Sequence, residues 1–293
     1  MRARHAVSTG ALAAALLALT GASLDGQLPA HLREFPLATL HKSGDIVAPF
    51  FDGWYDNGDG TVTYSFGFLN RNTEEIVDIP LGPSNKVEPA ELDGAQPTHF
   101  PVYDRRGLTG RRERGAFAVT VPKGTEVVWT LTHGGRTHSV PGRSTSIAYE
   151  MSWTPAAFGS LHPAVRFSPE GQESRGPDGV VAQPVSARVG VPVTLTAMVQ
   201  DRGVREGYDV EQTVFPVNAT WELHQGLPAV TFEPQAQRGI EGEGWAVAST
   251  QATFTQPGDY MIRVRVDNFG APDSRFDNMC CWTNGFVPVT VTR

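Results

Sequence analysis

The sequence contains little cysteine and little lysine. Its 293 residues include only two cysteines, Cys280 and Cys281, and they are adjacent. A disulfide framework linking distant parts of the chain is therefore excluded, and the fold must depend on its apolar cores. Lysine occurs only at Lys42, Lys86 and Lys123, so arginine carries nearly all of the positive charge. The net charge of −7 provides no basic footprint for nucleic acid.

Long apolar runs are absent beyond the start of the chain. Residues 11–19 form an apolar run that follows Arg2 and Arg4 and precedes small residues near Ala22. The run is shorter than the ~20 residues that span a bilayer, and this order of features is typical of a secretion signal. We therefore predict a signal peptide over residues 1–23, a secreted or periplasmic location and no membrane span.

Signatures of catalytic and metal-binding machinery are also missing. There is no Gly-x-Ser-x-Gly elbow, no His-Glu-x-x-His pair and no phosphate-binding glycine loop. His133 and His138 flank a turn, His99 and His162 lie elsewhere, and no cysteine or carboxylate cluster completes a metal site. Residues 56–60 lack the leading carboxylate of a calcium loop and are interpreted as a hairpin turn. We predict no metal, no cofactor and no enzyme. The alternative is a pair of glycosidase carboxylates, which the fold and not a sequence motif would position.

The abundant feature is the pattern of short strands. Over residues 61–69, Val62, Tyr64, Phe66 and Phe68 alternate with polar residues, which predicts a strand with one buried face. A partner strand is expected before the turn at 56–60. Further strands are predicted at 75–79, 98–103, 116–121, 127–132, 137–140 and 147–151. This density of strands predicts an N-terminal β-sandwich domain over residues 46–151.

The alternation is lost over residues 152–180, where proline and glycine concentrate, and this predicts a linker. Alternation returns in a second predicted domain over residues 181–293. Its strands are predicted at 193–199, 217–223, 230–232, 246–254, 259–266 and 286–292. The predicted fold class is thus all-β, with two immunoglobulin-like (Ig-like) antiparallel β-sandwich domains after a signal peptide.

The second domain resembles a known family. Residues 190–197, Trp221, and the run 254–264 with Gln256-Pro-Gly-Asp-Tyr260 look like the Ig-like domains of bacterial exported proteins, with the polycystic-kidney-disease (PKD) repeat nearest. The resemblance implies that Trp221 is a core tryptophan and that Tyr260 forms a tyrosine corner. Residues 221–226 depart from the Trp-x-Phe-Gly-Asp-Gly run of the PKD repeat. The first domain faintly resembles the front halves of uncharacterised exported bacterial proteins.

A long connection between the last two predicted strands is the strongest candidate site. At about eighteen residues it is far longer than a usual hairpin loop, and it contains Phe276, Met279, Cys280, Cys281 and Trp282. We predict a vicinal disulfide that holds Met279 and Trp282 as a rigid apolar knob for ligand binding. One alternative is that Phe269, Phe276 and Trp282 cap the open end of the sandwich core. The alternative to the disulfide is two reduced thiols, one pointing into the core and one outward.

A run of arginines forms a second charged feature. Arg105, Arg106, Arg111, Arg112 and Arg114 lie close together among glycines. Such a run is most often a solvated, mobile loop, and the alternative is a contact for an acidic polymer or an anionic lipid surface.

Together these patterns predict an exported, non-enzymatic binding or spacer module of the cell envelope or extracellular space. Its partner would be an extracellular protein or a glycan, and the sequence does not identify it. The alternative is an accessory, carbohydrate-binding module of an extracellular hydrolase system, or a weak hydrolase.

Overall fold

The computed structural model describes residues 39–103, 110–208, 210, 217–240, 244–272 and 279–293. Within it, His41–Arg293 forms one compact unit. The predicted signal peptide over residues 1–23 lies outside the described residues. No helix in the described ranges has the length and apolar character needed to cross a membrane.

Strands make up most of the described chain. They are β1 (Val47–Asp56), β2 (Thr61–Asn70), β3 (Val77–Asp78), β4 (Asn85–Glu88), β5 (His99–Phe100), β6 (Arg112–Pro122), β7 (Val127–His133), β8 (Arg136–Gly142), β9 (Glu150–Met151), β10 (Ala164–Arg166), β11 (Val180–Val181), β12 (Val185–Arg188), β13 (Val193–Gln200), β14 (Val217–Gln225), β15 (Val230–Glu233), β16 (Ala236–Ile240), β17 (Ala246–Phe254), β18 (Gly258–Pro272) and β19 (Met279–Thr292). Short 3₁₀ turns occur at Ala90–Leu92, Ile147–Tyr149 and Ala157–Gly159. The all-β fold class is confirmed.

The first sandwich packs a four-stranded sheet, β6-β2-β1-β9, over the smaller sheet β4-β7-β8. The hairpin predicted at residues 56–60 joins β1 to β2, and Asp56 pairs with Val62. Asp59 accepts a hydrogen bond from the Thr61 amide at 2.9 Å, and Asp56 lies 2.6 Å from Lys123. Both carboxylates therefore stabilise the turn, as the hairpin interpretation expects.

Aromatic rings fill the first core. The rings of Phe66 and Phe117 stack at 5.2 Å, and the ring of Phe117 meets Trp129 edge-on at 5.0 Å. Phe66 comes from β2, Phe117 from β6 and Trp129 from β7, so the rings link both sheets. Alternation along β2 places its aromatic residues on this buried face.

The second sandwich packs the sheet β10-β13-β17-β15 against the sheet β11-β19-β18-β14-β16, to which β12 is added beside β19. Trp221 lies in the core of this sandwich and is 0% exposed. The Tyr260 hydroxyl donates to the Gln256 carbonyl at 2.8 Å, which is the tyrosine corner that the Ig-like resemblance implied. Both residues thus lie where the resemblance placed them.

The prediction of a long loop between the last two strands is wrong. The strands β18 and β19 extend past their predicted ends and pair with each other, with Asp267 opposite Trp282 and Ala271 opposite Cys280. A register shift lies between Asp267 and Ala271. Polar residues and Gly285 obscured this pairing in the sequence, because they break the apolar alternation that marks a strand.

The predicted linker contributes strands to the second sandwich. Within residues 152–180, β10 pairs with β13, and Val180 of β11 pairs with Gly285 of β19. Trp153, at the start of this segment, stacks on Tyr55 of the first sandwich with ring centroids 4.1 Å apart. The domain boundaries, 46–151 and 181–293 with a linker over 152–180, stay predictions.

The prediction of a mobile arginine loop is wrong for the arginines that the structure describes. Arg112 begins β6, lies 2.5 Å from Asp52 and packs over the Phe50 ring at 4.3 Å. Arg114 is in the same strand, and its burial lowers the pKa of its guanidinium. Arg111 donates to the Asn72 carbonyl at 3.3 Å. Arg105 and Arg106 lie outside the described residues.

Candidate functional site

The structure describes only some of the residues predicted to bind a ligand, and those that it describes are buried. Phe276 lies outside the described residues, as does the side chain of Met279, the first residue of β19. Cys280, Cys281 and Trp282 follow in that strand, and each is 1% exposed. The expectation that Trp282 forms an exposed knob is therefore wrong, because strand pairing and the first sandwich bury it. Ligand binding by this set of residues stays a prediction.

Cys280 and Cys281 are joined by a disulfide. Their sulfur atoms and a ring nitrogen of His162 all lie within 4.8 Å of one another, and all three residues are buried. We call these three residues the Cys–His cluster. His162, which the sequence did not connect with a cysteine, is therefore next to both cysteines.

His162 lies in a segment, residues 161–163, whose carbonyls accept hydrogen bonds from the second sandwich. The Asn268 side chain donates to the Leu161 carbonyl at 2.8 Å, and the Thr283 hydroxyl donates to the Pro163 carbonyl at 2.6 Å. Arg202 donates to the carbonyl of His162 itself at 3.2 Å. These bonds satisfy the carbonyls of an irregular buried segment and fix the imidazole beside β19.

The protonation of His162 follows from its partners. Its Nδ1 lies 2.6 Å from the carbonyl oxygen of Trp282, and a carbonyl oxygen only accepts, so Nδ1 carries the hydrogen. Burial lowers the pKa of His162 to about 4, against the opposing effect of that hydrogen bond. The ring is therefore neutral at pH 7, and Nε2 carries a lone pair. Nε2 is buried and has no hydrogen-bond partner among the described residues.

Aromatic rings surround the Cys–His cluster. The His162 ring lies 5.3 Å from the ring of Tyr55, 5.2 Å from that of Trp153 and 6.3 Å from that of Trp282. Tyr55 belongs to β1 of the first sandwich and Trp282 to β19 of the second. The cluster thus lies where the two sandwiches meet, in apolar surroundings.

Gly115 accounts for the position of Trp282. This residue of β6 has a φ of +58°, which glycine adopts easily. A Cβ atom at Gly115 would overlap the indole ring of Trp282. The absence of a side chain there lets the tryptophan pack on the backbone of the first sandwich.

Buried charges connect the sandwiches beside the cluster. Glu113 of β6 lies 2.9 Å from Arg263 and 3.1 Å from Arg265 of β18. Arg263 also lies 3.2 Å from Glu222 and donates to the Gly115 carbonyl at 2.9 Å. Burial alone would lower the pKa of Arg265, but the charges of Glu113, Asp267 and Glu222 together outweigh burial and raise that pKa. We call Glu113, Glu222, Arg263 and Arg265 the junction network.

Sequence reasoning missed His162 as a neighbour of the cysteines. It lies 120 residues from Trp282 in the chain, in a segment without strand alternation, and no local pattern relates it to β19. His133 and His138 do not face each other across their hairpin, because His133 pairs with Arg136 and His138 with Leu131.

No protein-family model and no curated protein sequence matches the chain. Among solved structures, the D00–D0 domain of intimin is 11% identical, with 85% of this chain and 100% of that chain covered and a TM-score of 0.27. Domains 4 and 5 of the S-layer protein SbsC are 13% identical, with 58% of this chain and 66% of that chain covered and a TM-score of 0.25. A titin tandem of Ig domains is 13% identical, with 85% of this chain and 99% of that chain covered and a TM-score of 0.21. Likenesses at these TM-scores say nothing about what this chain binds.

Proposed function

We propose that this chain is an exported, non-enzymatic module that holds two β-sandwiches in a fixed arrangement, as a binding or spacer element of the cell surface or periplasm. Its partner would be an extracellular protein or a glycan. The junction network is the observation that carries this proposal.

The junction network supports a fixed arrangement because its charges are buried and matched. Glu113 is 0% exposed on its side chain and Arg263 is 3% exposed. Domains in one chain usually move relative to each other unless their interface is large or specific. Reorienting these sandwiches would separate buried charges from their partners, which costs about 3–5 kcal/mol per broken pair. A module with such a junction keeps its two ends at a set distance.

The Cys280–Cys281 disulfide supports export, because disulfides persist in oxidising compartments and are rare in the cytosol. The apolar run at residues 11–19 agrees with this. Mass spectrometry of the protein recovered from the periplasm or medium tests both points. We expect cleavage of the signal near residue 23 and cysteines that alkylate only after reduction. Full-length protein retained in the cytosol with two alkylatable thiols contradicts export.

Distance measurement between spin labels tests the fixed arrangement. Glu126 of the first sandwich and Glu233 of the second are exposed, so both are suitable for Glu→Cys labelling. We expect one narrow distance distribution by double electron–electron resonance. A broad or bimodal distribution in a folded chain would overturn the proposal. A glycan array probed with the same protein then separates a glycan partner from a protein partner.

A further inference from the structure

We propose that the Cys–His cluster is a metal site for Cu(I) that forms when the Cys280–Cys281 disulfide is reduced. The ligands would be the two thiolates and Nε2 of His162. The inference is independent of the proposed module function.

The orientation of His162 favours this assignment. Imidazoles that bind metals commonly donate the other ring N–H to a carbonyl or carboxylate, which fixes the tautomer. In His162 the Nδ1–H donates to the Trp282 carbonyl, so the lone pair lies on Nε2. A buried polar atom without a partner is costly, and Nε2 is such an atom among the described residues. A bound metal ion would satisfy it.

The donor set favours Cu(I). Thiolate ligands select soft ions such as Cu(I) and Zn(II), and imidazole suits both. Structural Zn(II) sites are almost always four-coordinate, whereas the described residues provide three grouped donors. Three donors in an apolar site suit a d¹⁰ monovalent ion, which accepts trigonal coordination. The site would carry a net charge of −1, and the Arg265 guanidinium lies 5.9 Å from the Trp282 ring beside it.

The chemical steps balance with a thiol as the reductant. Two thiol molecules supply two electrons and two protons to the Cys280–Cys281 bond and become a disulfide themselves, leaving two cysteine thiols. Binding of Cu(I) then displaces both thiol protons to solvent, since the thiolate is the metal ligand. Nδ1 of His162 keeps its hydrogen, which the Trp282 carbonyl accepts. The oxidised chain has no thiolates and cannot form the site.

A surface cavity lies beside Trp153, whose ring neighbours that of His162. A surface cavity of about 390 Å³ is lined by Trp153 and Arg202. The Trp153 ring is 5.2 Å from the His162 ring, and Arg202 donates to the His162 carbonyl. The three cluster residues do not line this cavity, so the proposal requires Trp153, which is 36% exposed, to move before a small thiol and the ion reach them.

The test uses the full chain, reduced with dithiothreitol and desalted without oxygen, with Cu(I) supplied as its bicinchoninate complex. We expect transfer of one equivalent of Cu(I) to the reduced chain and none to the oxidised chain. X-ray absorption at the copper edge should show two sulfur neighbours and one nitrogen neighbour. A disulfide that resists dithiothreitol, copper that remains with bicinchoninate, or copper without a nitrogen neighbour overturns the proposal.

Two histidine variants distinguish the site from unspecific thiol binding. His162→Gln should weaken Cu(I) retention about 10-fold or more, because one of three ligands is lost. His224→Gln is the matched control, since His224 is also buried but bonds to the Ala95 carbonyl through Nε2. Equal retention by both variants contradicts the role of His162. If His162→Gln does not fold, the copper-edge spectrum of the natural chain decides alone.

Discussion

Replacement of Glu113 by glutamine tests the junction network most directly. The change keeps the size of the side chain and removes one buried negative charge. Arg263 and Arg265 then face a neutral amide at distances of about 3 Å, where the carboxylate lay at 2.9 Å and 3.1 Å. Breaking a buried ion pair by removing one partner costs about 3–5 kcal/mol. Arg263 keeps Glu222 and Arg265 keeps Asp267, so the lower end of that range applies. We expect a loss of that size in the free energy of unfolding.

The assay is urea unfolding of the full chain, followed by tryptophan fluorescence and circular dichroism. Glu74→Gln is the matched control, because Glu74 pairs with Lys42 at 2.7 Å but both side chains are largely exposed. Exposed pairs contribute about 0–1 kcal/mol, so the control should stay within that range. A loss below about 1 kcal/mol for Glu113→Gln, with an unchanged m-value, would refute the reasoning.

Three further predictions concern the core, the junction and pH. Trp221→Ala should cost about 3–5 kcal/mol in unfolding free energy because the side chain is wholly buried; a urea loss below about 1 kcal/mol would contradict this. Gly115→Ala should lower the melting temperature and shift the fluorescence of Trp282 to the red, since the new methyl overlaps the indole; an unchanged spectrum and melting temperature would count against the packing. Burial lowers the pKa of His224 to about 3, so its contribution to stability is complete above the unfolded pKa of about 6.5 and is lost as pH falls towards 3, at about 1.4 kcal/mol per pH unit. Unfolding free energies measured with urea at several pH values from 7 to 5 should fall less steeply with decreasing pH in His224→Gln than in the natural chain. An equal dependence on pH in both proteins would refute the assignment.

Much of the fold followed from local pattern. The period-two alternation of Val62, Tyr64, Phe66 and Phe68 predicted β2, and turn residues predicted its hairpin. The positions of Trp221 and Tyr260 followed from the Ig-like resemblance. These features depend on which face of a strand meets the core, and residue order alone specifies that face. The end of β18, after residue 266, and the start of β19, before residue 286, were not predicted as strand because polar residues occupy buried positions there.

The sequence by itself determined the class of the protein: all-β, with two apolar cores, and with adjacent cysteines that have only each other as disulfide partners. The tertiary structure decided what surrounds them. It brought His162 to Cys280 and Cys281, and it placed Glu113 of the first sandwich against Arg263 of the second. Buried polar residues carry no periodic signal, because their partners come from strands far apart in the chain. Only the packing of one sandwich on the other shows that these groups are paired, and that Nε2 of His162 has no hydrogen-bond partner among the residues that the structure describes.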